Sequence, residues 1–272
     1  MLAKDYANLT ICLGILAAYI WRLYSSAHIR FCICPYILRF YAICARGGMM
    51  KVVAFVPIKL HNERTPGKNL KTFYDGTPLV HFVQKTLLQC KDIDERYIFC
   101  SSESIKPYIL DGIKFLKRSE NLDSKETLCG DLIRAFINAV DSDIYIMAHA
   151  TLPFVRVETY ENCIKVVKDG LYTSSMPALK IQNLIWFRNA PLNFKLDKPP
   201  RTQDLEPIFS EVASPCVFYK DVFFKYGNRS GDKHFFYEVN HIEAIDIDYP
   251  QDFEFANLVY KNLLNGGGAV DV

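Results

Sequence analysis

What most constrains the fold of this chain is the regular exchange between two hydrophobic periods from Val52 onward. "VVAFVP" (52–57) has no polar position, the pattern of a strand buried on both faces, whereas "PLVHFVQKTLLQC" (78–90) places apolar residues at helical spacing. "ERYIFCSS" (95–102), "IKFLKR" (113–118) and "DIYIMAHA" (143–150) predict further strands. "TLCGDLIRAFINAV" (127–140) and "TYENCIKVVKDG" (159–170) predict helices, the second closed by Gly170 as a left-handed cap. Beyond them, "LYTSSMPALKI" and "NLIWF" read as strands, "VASPCVFYKDVFFKYG" as a strand leading into a short helix, and "HIEAIDID" (241–248) as a late strand. "PQDFEFANLVYKNLL" closes the pattern as a helix with Pro250 in its first turn. Repeated strand–helix alternation predicts an α/β fold with a mainly parallel sheet and helices on both faces. Ligands of such sheets sit at the carboxyl ends of the strands.

Of 272 residues, half are hydrophobic and 23% charged, enough core for one large domain, which we place at residues 49–265. The formal charge of +2 is uneven. The first fifty residues hold five basic side chains against Asp5, which leaves 27 basic and 29 acidic residues, a net of −2, for the rest. A slightly acidic body argues against a nucleic-acid partner. Residues 1–48 form a hydrophobic extension. Its first apolar run, "LTICLGILAAYIW", is shorter than the roughly 20 residues of a membrane span, and Arg30, Pro35 and Arg39 break the second. Two readings stand: a segment upstream of the working protein, or a membrane anchor. Residues 266–272 are expected to be a flexible tail. Cys12, Cys32, Cys34 and Cys44 lie in the extension, and the remaining cysteines are scattered without metal-ligand spacing. A reducing, cytoplasmic compartment follows for the body, with no structural zinc.

The chemistry gathers in two places. "VAFVPIKLHNERTPGKNLK" (53–71) runs from the first strand into a loop carrying Lys59, Arg64 and Lys68, with Asn69 beyond a turn at Pro66 and Gly67. It is neither a Walker loop nor a GxGxxG turn. Asp246 and Asp248, two apart in the predicted strand, would share one face about 7 Å apart and suit Mg²⁺ bound through carboxylates and substrate phosphates. Taken singly, the loop reads equally as a solvated basic loop and the acids as solvated side chains at a strand end. Together they suggest a nucleoside triphosphate held by cations and a metal.

Four segments in this order and spacing, "VPIKLHNERTPGKNLK", "AHATLPF" (148–154), "PPRTQDLEPIF" (199–209) and "EAIDIDYPQDFEFA" (243–256), resemble the acylneuraminate cytidylyltransferases, the CMP-sialic acid synthetases and their relatives. The resemblance implies a Rossmann-like, three-layer nucleotide-diphospho-sugar transferase fold, usually dimeric. It implies a reaction that joins CTP and a nine-carbon 2-keto sugar acid into a CMP-sugar and pyrophosphate. By it, Lys68 and Asn69 match the pair that grips the triphosphate, Lys59 stands where most members have arginine, and Asn62 replaces a small phosphate-contacting residue. Pro57, Ile58 and Ser101 count among the nucleotide-binding residues, as do His149 and Thr151 at the turn beside the base. Asp246 and Asp248 match the metal-binding acids, and Arg201, Gln203 and Asp204 the segment near sugar and nucleotide. Lys59, Lys68, Arg201, Asp246 and Asp248 carry the catalytic roles. Three departures stand out: Glu63 reverses a charge, Lys125 stands where an acid is usual, and "SEVASPCVFY" lacks the usual glycine and tyrosine.

The expected chemistry is attack of the sugar's anomeric hydroxyl on the α-phosphorus of CTP, with loop cations and Mg²⁺ stabilising the leaving pyrophosphate. No general base is evident; a metal-activated hydroxyl and His149 are candidates, the histidine alongside a packing or base-contacting role. The alternatives are a sister enzyme for an eight-carbon sugar acid such as KDO, and a degenerate, non-catalytic nucleotide-binding protein. The expected partners are CTP, a sugar acid and a second copy of the chain, with membrane contact only if residues 1–48 are an anchor.

Overall fold

The computed structural model describes residues 50–264. The expectations for residues 1–48 and 266–272, including the four early cysteines, lie outside the described residues. Among the described residues no helix is long and apolar enough to cross a membrane.

The predicted alternation is present. The chain runs β1 (Val52–Ile58), α1 (Leu79–Gln89), β2 (Glu95–Cys100), β3 (Lys114–Lys117), α2 (Cys129–Ala139), β4 (Ile144–Met147), α3 (Val157–Lys168) and β5 (Ser174–Ile181). It continues through β6 (Trp186–Phe187), β7 (Ala190–Pro191), β8 (Ile208–Glu211), β9 (Cys216–Tyr219), α4 (Lys220–Tyr226), β10 (His234–Val239) and α5 (Pro250–Val259). The main sheet has the order β10-β5-β9-β4-β1-β2-β3, with β8 also on β5. Helices flank it. All pairings are parallel except those of β8 and β9, which run against their neighbours.

β1 is all-apolar because its side chains meet packed layers. Val52 to Val56 are fully buried, and Phe55 stacks on Phe136 of α2 with ring centroids 4.1 Å apart. Truncating Phe136 to alanine would cost about 3–5 kcal/mol, transfer energy plus the cavity left behind. β3 lies at the edge of the sheet and carries Lys114 and Lys117 on exposed positions, a charge pattern that discourages further pairing. From β1 the chain moves to β2 and β3 on one side, then returns to β4 on the other. This reversal leaves a crevice at the carboxyl ends of β1 and β4, where the loops after Ile58 and Met147 part.

Two expectations are corrected. Residues 241–248 do not form a strand. Asn240 and Ile242 carbonyls accept from Ala244 and Ile245 in a turn, and the extended piece that follows gives its Ile247 N–H to the Thr151 carbonyl at 2.9 Å rather than to a ladder. Its apolar alternation arises because Ile247 is buried among Phe73, Leu79, Phe154 and Phe253, with Ile245 packed beside them. The strand that ends the sheet is instead "HFFYEV", β10. "NLIWF" contributes only Trp186–Phe187, paired with Ala190–Pro191 in a small hairpin off the main sheet.

Candidate active site

The loop after β1 is closed by its own sequence. Gly67 takes the left-handed conformation (φ 66°) that admits the 3-10 turn Lys68–Leu70, and the Asn69 amide donates to the Lys59 carbonyl at 2.8 Å, tying one end of the loop to the other. The loop is also fastened to the far end of the chain. Lys68, only 8% exposed, donates from Nζ to the Ile247 carbonyl at 2.7 Å and to Asp248 Oδ1 at 3.2 Å. The Thr65 hydroxyl donates to the Asp248 carbonyl at 2.9 Å, and Arg64 Nη2 to Asp248 Oδ1 at 3.0 Å. Arg64 also lies over the Tyr249 ring, 5.3 Å from its centroid. The two separate features of the sequence are thereby one cluster.

Asp246 stands beside it. It is exposed at the surface, yet the surrounding protein withdraws enough water to lift its carboxyl above the ordinary value. A hydrogen bond with Thr151 opposes the shift, Asp248 adds repulsion and Lys68 attraction. This is a surplus of negative charge that a cation would relieve. Among the described residues no group of three or more His, Cys, Asp or Glu side chains is arranged to hold a metal. Asp246 and Asp248 therefore fit a hard ion that takes its remaining oxygens from phosphate and water, and do not fit a cation caged by protein.

The turn after β4 carries His149. The Ser214 hydroxyl accepts from its backbone N–H at 3.0 Å and pairs with the Tyr160 hydroxyl at 2.9 Å. Burial, then the charges of Arg229 and Lys68, depress the imidazole pKa to about 4, so the ring is neutral near pH 7. Its Nε2 is buried without a partner.

Below the loop, Arg118 Nη2 donates to the Ile58 carbonyl at 3.0 Å and to Asp123 Oδ1 at 2.6 Å, while Ser101 Oγ donates to Asp123 Oδ2 at 2.5 Å. This fixes the end of β1 and one wall of a crevice of about 330 Å³ lined by Lys59, Asn62, Pro66, Gly67 and Asp123. Arg118 Nε and Nη1 and Asn62 Oδ1 are buried without partners. Sequence reading passed over Arg118 and Asp123, although both follow β3 at its carboxyl end, where the ligand rule for parallel sheets directs attention. Glu63 and Lys125, two departures from the family pattern, are joined by an ion pair of 3.1 Å.

Arg201, Gln203 and Asp204 are not brought to this cluster. They are exposed on the 3-10 turn Thr202–Asp204, where Arg201 grips Asp204 through Nε at 2.8 Å and Nη2 at 3.1 Å. Among the described residues no hydrogen bond or ion pair joins them to the loop or to Asp246 and Asp248.

A mostly parallel sheet whose switch-point crevice joins a cationic loop to paired carboxylates defines an α/β nucleotidyltransferase. The chain matches the model of the family described as cytidylyltransferase over residues 53–264 and belongs to that family. Among curated proteins no sequence matches it. Of solved structures, a CMP-2-keto-3-deoxy-manno-octonic acid synthetase complexed with CTP is similar at 15% identity, with 78% of this chain and 99% of that one covered and a TM-score of 0.59. The 4-diphosphocytidyl-2C-methyl-D-erythritol synthase of Anaerococcus prevotii is similar at 13% identity, covering 78% and 96%, with a TM-score of 0.57. At these identities the likeness is one of fold.

Proposed function

We propose that this cytidylyltransferase activates a 2-keto sugar acid, of the nine-carbon sialic-acid type, by transferring CMP from CTP to its anomeric hydroxyl with release of pyrophosphate. The observation that carries the reading is the joining of Lys68 to Asp248 with Asp246 alongside, which sets a buried ammonium and two carboxylates at one point of the crevice. Lys68 and Lys59 take the β- and γ-phosphates, where negative charge grows as the α-phosphorus–oxygen bond breaks. Because Lys68 is held before substrate arrives, little reorganisation is left for the moment of reaction. A Mg²⁺ ion on Asp246 and Asp248 would supply Lewis-acid charge neutralisation at the phosphates. His149, neutral, serves as a hydrogen-bonding group and not as a cation.

An eight-carbon acid is the second reading, favoured by the octonic acid synthetase among the structural neighbours. The degenerate-protein reading loses its main support in the Glu63–Lys125 pair, since the two reversed charges compensate each other. A homodimer is part of the proposal, supported by Trp186, Phe187, Leu192 and Leu196, all more than half exposed on the segment after β5. So is a reducing, cytoplasmic setting, supported by free cysteines at 90, 100, 129, 163 and 216. Pyrophosphate release with CTP, Mg²⁺ and a panel of nine- and eight-carbon acids tests the function. Turnover with a nine-carbon acid is expected; release with the eight-carbon acid alone selects the second reading, and none with either overturns both. Light scattering tests the dimer.

A further inference from the structure

A second largely buried cation, Arg229, lies at the carboxyl end of β4. Gly227 ends α4 in the left-handed conformation, and the loop beyond it brings Arg229 to the first residue of α2, the end of β8 and the start of β9. The Cys129 thiol that meets Nη1 also lies 3.6 Å from the sulfur of Met147, the last residue of β4, so this guanidinium lies at the same carboxyl end of β4 from which His149 follows. Arg229 and Lys68 both depress the basicity of His149, which places the ring within electrostatic reach of each.

Arg229 is poorly satisfied for so buried a charge. Its side chain is 17% exposed, and Nη1 has the thiol of Cys129 at 3.3 Å, a weak acceptor. The nearest carboxylate oxygen, on half-exposed Glu211, is 3.6 Å from Nη2, outside hydrogen-bonding distance. Burial opposes this charge, and the neighbouring thiols and Glu211 offset it through space without any of them seating an anion on the fork. Within electrostatic reach of Arg229, His149 Nε2 is buried with no partner at all. Arg201, which the resemblance places near the sugar, spends its fork on Asp204.

We propose that Arg229 anchors the carboxylate of the acid substrate, with His149 hydrogen-bonding a hydroxyl beside it. The inference rests on the proposed sugar-acid reaction. In a 2-keto sugar acid the carboxylate is bonded to the anomeric carbon, so seating it on a planar, two-donor fork also aims the attacking hydroxyl toward the α-phosphorus. The crevice then has a phosphate end at Lys68 and a carboxylate end at Arg229. Lysine would keep the charge but lose the fork.

Cys129 is a built-in reporter, partly exposed and in contact with the guanidinium. In the full chain, alkylation at Cys129 is followed by peptide mapping with anionic iodoacetate and neutral iodoacetamide. The ratio of the two rates should exceed that of a free thiol by about tenfold and collapse to it in Arg229→Gln. N-Acetylneuraminate should protect Cys129 and the neutral sugar N-acetylmannosamine should not. Arg229→Lys, which keeps the charge and guards against misfolding, should raise KM for the acid roughly 10–100-fold with KM for CTP unchanged. An unchanged rate ratio in Arg229→Gln, equal protection by the neutral sugar, or an unchanged KM for the acid overturns the anchor while leaving the transfer reaction standing. Protection by the acid without any pyrophosphate release supports the anchor and removes the transfer reaction instead.

Discussion

The loop after β1 and the segment between β5 and β8 make opposite use of their charged residues. In the loop, Lys68 is buried, Asn69 spans the ends, and Arg64, Thr65 and Lys68 converge on Ile247 and Asp248. In the later segment, Arg201 and Asp204 are exposed and bonded to each other, and Gln182 reaching the Leu205 carbonyl at 2.9 Å is the side-chain strap across its base. The difference teaches which half of the reaction the folded chain has prepared. In the proposed reaction the phosphate end is organised before any ligand binds, so its residues would carry both stability and catalysis. Residues of the exposed segment can serve the substrate without serving the fold.

The largest effects should separate neighbours within the prepared half. Asp246→Asn and Asp248→Asn should each cost a thousandfold or more in Mg²⁺-dependent turnover, several kcal/mol of transition-state stabilisation. Their melting temperatures should move in opposite directions. The raised carboxyl of Asp246 means that the native state binds its proton more tightly than the unfolded chain. Stability is therefore lost as pH rises from the ordinary carboxylate value through the raised one, and Asn removes that loss near pH 7. Without Mg²⁺, Asp246→Asn should melt higher at neutral pH and lose the advantage below the carboxylate range. Asp248→Asn should melt lower, because Lys68 loses its anionic partner; with Asp248 one-third exposed, about 1 kcal/mol is expected. Parallel shifts in calorimetric scans would dissolve the distinction.

Lys68→Ala comes next. It should weaken CTP binding by roughly 10–150-fold, the equivalent of a charge-assisted contact of about 1.5–3 kcal/mol, and CMP binding far less. Equal losses in titration calorimetry would move the lysine from the leaving phosphates. Arg201→Ala should change unfolding free energy by less than about 0.5 kcal/mol, as exposed pairs do. A cost above 1 kcal/mol in urea titration would mean that the exposed segment is as firmly built as the loop. Smallest of all is the Glu63–Lys125 exchange. Glu63→Lys or Lys125→Glu alone sets like charges together, and the double variant should recover about 0.2–1 kcal/mol of coupling. Additive effects in that cycle would leave the two departures unrelated.

What could be read in the sequence was local. β1 and its basic loop are contiguous, and the helical periods of α1, α2 and α3 each lie within a dozen residues. The misread strand at 241–248 shows where periodicity stops informing: alternation at Ile245 and Ile247 reports which side chains are buried, not what their backbone bonds to. β10 alternates less clearly, since as an edge strand it is only part-buried at most positions. The reversed direction of β9 has no local signature, because pairing sense is decided by where the partner strands lie. Arg229 meets Cys129 a hundred residues away, and Arg118 meets Ile58 sixty residues away, so neither stood out in its own segment. Glu63 and Lys125 looked singly like two losses and are in space one exchange.

The fastening of the loop also sets a timetable. Lys68 closes on acceptors 179 and 180 residues further along the chain. At a synthesis rate of about 5–20 residues per second, the loop waits roughly 10–40 s for the segment that completes it. During that interval β1, β2 and β4 can pair, but the ammonium of Lys68 has neither carbonyl nor carboxylate to hold it. A nascent or prematurely ended chain can thus own most of its sheet and still lack the contacts that hold Lys68, so the loop closes only once residues 247 and 248 have been made.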